Sequence, residues 1–389
     1  MREIVLGPGR EGPVRGGHPW IFSGAIERGL DAAEPGELVR VVGRGGAFVA
    51  IGYCNPRTTI AVRVLTLQDE PIDHAFLSRR IDAALALRRT MLAPGLDGYR
   101  VLNGEGDGLP GVVVDRYAEF LVVQLLTAGA VRLRDDLVAV LVDRFRPRGI
   151  FERSEGGVRA EEGLAGARGV LWGEEPPVRV AIEEDGAHFL VDVLHGQKTG
   201  FFLDQRESRR QVRALARGRR VLNTFAYTGA LAVVAGLGGA EHVVSVDSSR
   251  PSLALGELAW SENGLEPRRA EFMVADVFDY LRTEGRKFDL IILDPPPFVR
   301  RRRDLTSGLR GYRDINLQAL RHLASDGWLL TCSCSQHLRR AQFRDLVMMA
   351  AAAAGRPLTL VMEGGHPPDH PVALGHPEGE YLKTFLLRG

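Results

Sequence analysis

Two short segments carry the residue types that could do covalent chemistry. One is Thr331-Cys332-Ser333-Cys334-Ser335, which closes the apolar run 328–330. The other is Asp294-Pro295-Pro296-Pro297-Phe298, which follows the apolar run 290–293. If both runs are neighbouring strands of one sheet, their ends lie about 5 Å apart. Cys334 and the proline turn then line one pocket. Period-two alternation turns Cys332 the same way as Cys334 but deeper, into the core. A thiolate at such a place is a nucleophile. Cytosine C5 is a poor nucleophile, but a thiolate added at C6 makes an enamine whose C5 can attack an electrophilic methyl group. A free thiol titrates at about 8.5, so something must favour the anion or a base must take its proton. The prolines fix the backbone and leave their carbonyls without intrachain partners. Phe298 offers a face for a base lifted from its stack, so Pro295, Pro296 and Phe298 are candidate substrate contacts. The plainer alternatives are a core-filling cysteine and a rigid loop.

Four further features fall where ligands bind in doubly wound sheets, beyond the carboxyl ends of central strands. The loop Asn223-Thr224-Phe225-Ala226-Tyr227-Thr228-Gly229 follows the first strand and has one glycine. The pyrophosphate fingerprint has three. Its backbone could hold a carboxylate, which makes Asn223, Phe225, Tyr227 and Gly229 candidate cofactor contacts. Asp247 ends the second strand and can accept both hydroxyls of an adenosine ribose. Asp276 ends the third and is placed to accept from an adenine amine. Asp294 ends the fourth. A helix cap or turn is the alternative for each aspartate. Their recurrence at successive strand ends points to adenosine.

The elements that must position these residues can be read from periodicity. Residues 1–70 hold short strands at 38–42, 47–53 and 59–65 with Gly-rich turns, a small β-barrel or sandwich. Residues 71–190 read as a central α+β domain. Helices are expected at 72–92 and 131–145, strands at 111–115, 120–126 and 149–152, and a hairpin at 178–193 turning at Asp185-Gly186. The Gly-, Glu- and Pro-rich stretch 161–177 reads as loop. From 191 to 389 strands and helices alternate, and the last two strands, 358–363 and 381–387, lack a helix between them. The fold class is α/β, a doubly wound sheet with an antiparallel C-terminal hairpin.

Composition narrows the class further. The 389 residues carry a net charge of +1, with 45% hydrophobic and 25% charged residues. That is ordinary for a globular protein, and any nucleic-acid surface must come from local clusters. The basic residues are nearly all arginine, with lysine only at 198, 287 and 383. Three cysteines give no disulfide framework, and the C-x-C spacing is not a usual metal or redox motif. No metal site is expected. The start has no signal-peptide pattern and no run is long and apolar enough for a membrane span, so a cytoplasmic protein without membrane attachment is expected.

Assembled, these segments resemble the RlmI/RlmO family of bacterial large-subunit ribosomal RNA cytosine-C5 methyltransferases. The resemblance spans essentially the whole chain. It rests on His195-Gly196-Gln197-Lys198-Thr199-Gly200-Phe201-Phe202-Leu203-Asp204-Gln205-Arg206, on 222–229, 244–248 and 294–298, on Gly311-Tyr312-Arg313-Asp314-Ile315-Asn316, on Ser333-Cys334-Ser335, and on Asp369-His370-Pro371-Val372 with Tyr381-Leu382-Lys383. His18-Pro19-Trp20-Ile21-Phe22 resembles the start of a PUA domain. The resemblance implies an N-terminal PUA-like RNA-binding domain, a central α+β domain and a class I methyltransferase domain that uses S-adenosyl-L-methionine on large-subunit ribosomal RNA. It implies Cys334 as nucleophile and Asp294 as the group that holds or protonates the cytosine ring. It adds Ser248, Gln205 and Arg206 as cofactor contacts and Lys198 as a substrate contact. Pro297 stands where relatives often carry Lys. Arg300 and Arg301 nearby could supply that charge, or belong to a solvated loop. A homodimer is an open option.

Two other readings stay in view. A base-nitrogen methyltransferase acting on guanine or adenine would use a D-P-P-F loop without a thiol. An RNA-binding ribosome-assembly factor would need no catalysis. A nicotinamide dehydrogenase is disfavoured because the glycine fingerprint is missing.

Overall fold

The computed structural model describes all residues from 1 to 389. The chain forms two compact units. The first comprises residues 1–180, 192–200 and 368–379, and the second 181–191, 201–367 and 380–389.

The first unit contains two sheets. A six-stranded sheet runs in the order Trp20–Phe22, Ile60–Thr66, Phe48–Cys54, Leu38–Val42, Arg2–Leu6, Ile26–Arg28. It closes around Ile4, Leu6, Val39, Val41, Val49 and Val62. A five-stranded sheet is ordered Ala167–Gly173, Gly149–Ser154, Phe120–Leu125, Val112–Tyr117, Gly98–Asn103. Helices His74–Met91 and Arg134–Phe145 share its core through Phe76, Ile81, Leu137 and Leu141. Asp73 caps the first of these helices, accepting from Phe76 N. The stretch expected as loop from 161 to 177 instead contains the edge strand Ala167–Gly173, antiparallel to Gly149–Ser154. An edge strand needs only one partner and half-buried positions, so its sequence lacks the apolar density of the inner strands.

Two sequence-distant segments complete this unit. Thr199 is buried, donates to Asp115 Oδ2 at 2.6 Å and shares a hydrogen bond with Tyr117 at 2.8 Å. Asp115 is gripped at both oxygens by Arg100. Asp369 accepts from Arg100 N at 3.0 Å, and its carbonyl accepts from Arg88 at 2.8 Å. The motif residues Thr199 and Asp369 are therefore anchors of the five-stranded sheet.

The second unit is built on seven strands. They are β1 (Arg220–Thr224), β2 (His242–Asp247), β3 (Ala270–Val274), β4 (Phe288–Leu293), β5 (Leu323–Ser333), β6 (Thr359–Gly364) and β7 (Lys383–Arg388). The sheet order is β3-β2-β1-β4-β5-β7-β6. The first five are parallel, and β7 is antiparallel to both β5 and β6. Inner strands read as apolar runs, as at 290–293 of β4, because helices cover both faces. The helices are α1 (Arg206–Leu215), α2 (Ala230–Leu237), α3 (Arg250–Glu262), α4 (Val277–Thr283), α5 (Leu305–His322) and α6 (Arg340–Ala353). The core between sheet and helices holds Leu222, Ile291, Tyr312, Leu329, Phe343 and Phe385. The hairpin Val180–Glu184 and Ala187–Val191 turns at Asp185-Gly186, and residues 181–191 belong to this unit rather than to the central α+β domain. No helix is long and apolar enough to cross a membrane.

Candidate active site

The order β3-β2-β1-β4-β5 puts its reversal between β1 and β4, so the carboxyl ends of these strands form the binding crevice. After β1 the chain enters a tight loop. Phe225 and Tyr227 hold left-handed φ angles of 54° and 48°, and Gly229 one of 68°. Such angles cost energy in residues with a Cβ and persist where surroundings hold them. Part of the holding is visible: Tyr227 N donates to Asp247 Oδ2 at 2.9 Å. Asp247 Oδ1 accepts from Ser249 N at 2.8 Å. The half-buried carboxylate at the end of β2 is fixed at both oxygens, and each oxygen keeps capacity to accept a second hydrogen bond.

The other residues expected around a cofactor divide by position. Phe225 is half-buried, and Tyr227 packs edge-on against Phe202 at 5.2 Å. Ser248 is exposed next to Asp247. Asn223 is fully buried inside β1, where its Nδ2 faces Ser245 Oγ at 3.5 Å, and its Oδ1 has no hydrogen-bond partner. It belongs to the strand rather than to the loop. Gly229 serves helix packing: a Cβ there would stand 3.0 Å from Gly256 Cα. Asp276 lies two residues beyond β3 and caps α4, its Oδ1 accepting from Phe278 N and Asp279 N. The capping alternative describes that oxygen. Arg206 is sealed in the interior, its Nε 3.0 Å from Glu184 Oε2, and Arg209 holds the same carboxylate with Nε at 2.5 Å and Nη2 at 2.8 Å. Arg206 is thus a buried ion-pair residue, because α1 turns it to the hairpin side.

The chemistry-bearing groups gather at the ends of β4 and β5. Asp294 Oδ2 accepts from Gln205 Nε2 at 2.8 Å, and Gln205 Oε1 accepts from Ser208 Oγ at 2.6 Å. Cys334 Sγ donates to the Pro295 carbonyl at 3.7 Å. The Pro295 carbonyl therefore has an intrachain partner, contrary to the expectation from the proline run. Cys334 is half-buried, whereas Cys332 is sealed. Burial first, then the charge of Asp294, pushes the Cys332 thiol well above its usual range, so it stays protonated.

The proline turn is pinned from behind. Ser335 Oγ accepts from Val299 N at 3.1 Å and shares a hydrogen bond with Tyr312 at 2.8 Å. Burial raises the Tyr312 phenol to about 12, so it remains a neutral hydrogen-bonding group. Phe298 packs against Tyr312 at 4.7 Å and Phe278 at 5.8 Å, so its ring anchors the turn in the core. Pro296 is exposed and Pro295 buried, and Arg300 and Arg301 are exposed on the following loop. Lys198 is an exposed left-handed residue of the first unit, at φ 52°. Two contributors had been given no role from the sequence. Ser208, three residues after Gln205 on α1, had the spacing of a helical neighbour as its signal. Lys383 buries its ammonium against Ser335 O and Tyr381 O, both at 2.7 Å.

A seven-stranded sheet of this order, with a fixed carboxylate after β2 and a proline turn after β4, defines a class I methyltransferase. A family profile described as S-adenosylmethionine-dependent methyltransferase matches residues 166–387, and one described as PUA-like domain matches residues 4–67. The chain belongs to the S-adenosylmethionine-dependent methyltransferase family. It is 43% identical over 390 residues to the Ribosomal RNA large subunit methyltransferase I of Salmonella arizonae, covering 99% of this chain and 97% of that one. The protein of that name in Escherichia coli O139:H28 is also 43% identical, with 99% and 98% covered. In fold, the chain is similar to a putative SAM-dependent methyltransferase from Streptococcus mutans, with a TM-score of 0.85 at 24% identity over all of both chains. It is likewise similar to a putative methyltransferase complexed with SAH, at TM-score 0.87 and 24% identity.

The residues present fit the cofactor. Asp247 offers a fixed carboxylate suited to two vicinal hydroxyls, and the left-handed loop 225–229 suits a compact polar ligand beside it. S-adenosylmethionine is the methyl donor.

Proposed function

We propose that this protein methylates C5 of a cytosine in large-subunit ribosomal RNA, with Cys334 as the covalent nucleophile. The observation that carries the reading is the juxtaposition of the half-buried Cys334 Sγ with the Pro295 carbonyl, beside an Asp294 oriented by Gln205. The ribosomal substrate is supported by the 43% identity to curated enzymes named for it.

Cys334 gives its proton to solvent, and the sulfur lone pair forms a bond to cytosine C6. The C5=C6 π pair makes C5 the nucleophile, and S-adenosylmethionine, when bound, would supply the electrophilic methyl group that C5 takes and would leave as the neutral thioether. Loss of the C5 proton to solvent re-forms C5=C6 and expels the thiolate. Asp294, held by Gln205, accepts from the cytosine amino edge and so fixes the ring over the sulfur. Asp247 and the backbone of 225–229 would hold the donor, with Ser248 and Tyr227 beside them. Pro295 and Pro296 shape the base pocket, and Arg300, Arg301 and Lys198 serve as phosphate contacts. The protein works in the cytoplasm, where ribosomes are assembled.

The test is methyl transfer to ribosomal RNA, with base-resolved mapping of the product. Wild type yields 5-methylcytosine and Cys334→Ala yields none while still binding S-adenosylmethionine. Methylation of a ring or exocyclic nitrogen that survives Cys334→Ala overturns the proposal.

A further inference from the structure

We propose that Lys383 is the buried counter-charge of Cys334, a positioning residue that holds the sulfur as the attacking anion. The inference rests on the covalent reading above and adds a cause for the thiolate that reading requires.

The geometry begins with register. β5 and β7 run antiparallel, with Ser333 opposite Lys383 and Cys332 opposite Thr384. The lysine therefore starts at the end of β5 that carries Cys334. Its side chain is only 1% exposed. The ammonium donates to Ser335 O and to Tyr381 O, each at 2.7 Å. The first of these carbonyls belongs to the residue directly after Cys334. Two of the three N–H bonds are thereby spent on carbonyls, and the charge itself is left uncompensated by them. Burying a bare ammonium is costly unless an anion faces it.

The neighbouring charges leave the Cys334 sulfur as that anion. At the end of β4, Asp294 keeps its charge, since the Gln205 amide that donates to it is neutral, and that charge bears on Cys332. From the segment before β7, Glu380 is paired with Arg340 of α6 at 2.9 Å. Cys332 on β5 is held protonated, and Tyr312 on α5 is neutral. Burial lowers the Lys383 ammonium to about 8, and the charge of Cys334 works against that lowering. The ammonium is therefore still present near pH 7. Residue choice agrees. Nearly every cation in this chain is arginine, with lysine at only 198, 287 and 383. A lysine carries its charge as a compact ammonium on a flexible stem with three donors that can turn toward their partners. Lys383 keeps its proton throughout, so it adds no step to the reaction.

The full-length protein provides two independent measurements. The first is the pH profile of Cys334 alkylation by iodoacetamide, read by mass spectrometry on the peptide containing it. In Lys383→Met the midpoint rises by about one unit or more, and alkylation at pH 7 slows roughly tenfold. The second is the titration of Lys383 followed by NMR of nitrogen-labelled lysine in wild type and Cys334→Ser, which remains informative if Lys383→Met does not fold. In Cys334→Ser the Lys383 midpoint falls. A Lys383 midpoint identical in wild type and Cys334→Ser overturns the inference, as does an unchanged alkylation profile in folded Lys383→Met. Mapped methylation by Cys334→Ser separates the two layers. Retained 5-methylcytosine removes the covalent reading, whereas lost methylation with uncoupled titrations removes only the role of Lys383.

Discussion

Gln205 Nε2 stands 2.8 Å from Asp294 Oδ2, and Ser208 Oγ stands 2.6 Å from the other end of the same amide. The first turn of α1 thus sets the orientation of the carboxylate that begins the proline turn. A serine hydroxyl donating to the amide oxygen fixes which way the amide faces, so its NH2 group must point at Asp294. Gln205→Ala removes the donor and leaves the carboxylate free to rotate. Because misplacement of a reacting group by about 1 Å can cost on the order of a hundredfold, kcat should fall about 10- to 100-fold. The dissociation constant for S-adenosylmethionine should change little. Single-turnover methylation with calorimetric titration of the donor checks both. An unchanged kcat would show that Asp294 needs no such support.

The donor itself should depend on Asp247. Its two oxygens each accept one backbone N–H, from Tyr227 and Ser249, so the carboxylate both shapes the loop and faces the ligand. Asp247→Ala loses both uses and should weaken S-adenosylmethionine binding about 100-fold, since charge-assisted hydrogen bonds contribute about 1.5–3 kcal/mol each. Asp247→Asn keeps the shape and one acceptor, and should fall between. Isothermal titration orders the three proteins. Equal affinity in wild type and Asp247→Ala would exclude a ribose contact.

How much of this was legible in the sequence follows from range. Buried parallel strands announce themselves as apolar runs, which is why β2 and β4 could be placed to within about a residue or two. Cys334 and the 294–298 turn could be brought together because each ends a strand and strands have fixed spacing. Relations that depend on which way a helix rotates could not be read. Arg206 looked like a cofactor contact beside Gln205, yet one step around α1 points it at Glu184, 22 residues earlier in the chain. Asp276, expected as an adenine contact, lies two residues past the end of β3 at Val274, and its Oδ1 caps a helix, a use that no strand pattern announces. The segment 368–379 joins the first unit through hydrogen bonds from Arg88 and Arg100 that span more than 250 residues. No local pattern encodes such a return.

Gly229 marks a place where backbone and packing coincide. Its φ is +68°, and a Cβ would stand 3.0 Å from Gly256 Cα and 3.3 Å from the Phe272 ring. Gly256 is the reciprocal partner, since its own Cβ would stand 3.0 Å from that ring. Gly229→Ala therefore combines left-handed strain with overpacking, for a loss of about 2–4 kcal/mol. Gly256→Ala meets only the steric part and should lose about 1–3 kcal/mol. Thermal or urea unfolding monitored by circular dichroism ranks them. Gly256→Ala being the more damaging would contradict the role of the positive φ.

Glu184 tests the electrostatic joint between the hairpin and α1. Burial alone would raise its carboxyl, but the guanidinium groups of Arg209 and Arg206 outweigh that and hold it below the usual range. A carboxyl depressed on folding stabilises the native state above its unfolded value of about 4.3, and that contribution disappears as the pH falls through the lower folded value. The second unit should consequently keep this contribution from about pH 5 upward and lose it progressively in more acidic solution. Glu184→Gln removes the charge at every pH and leaves two sealed guanidinium groups facing a neutral amide, at a cost of about 3–5 kcal/mol. Unfolding midpoints of wild type and Glu184→Gln, measured from pH 7 down to pH 3, should differ most at pH 7 and converge in acid. A gap that stays constant over that range would mean that the carboxyl is not ionised in the folded protein.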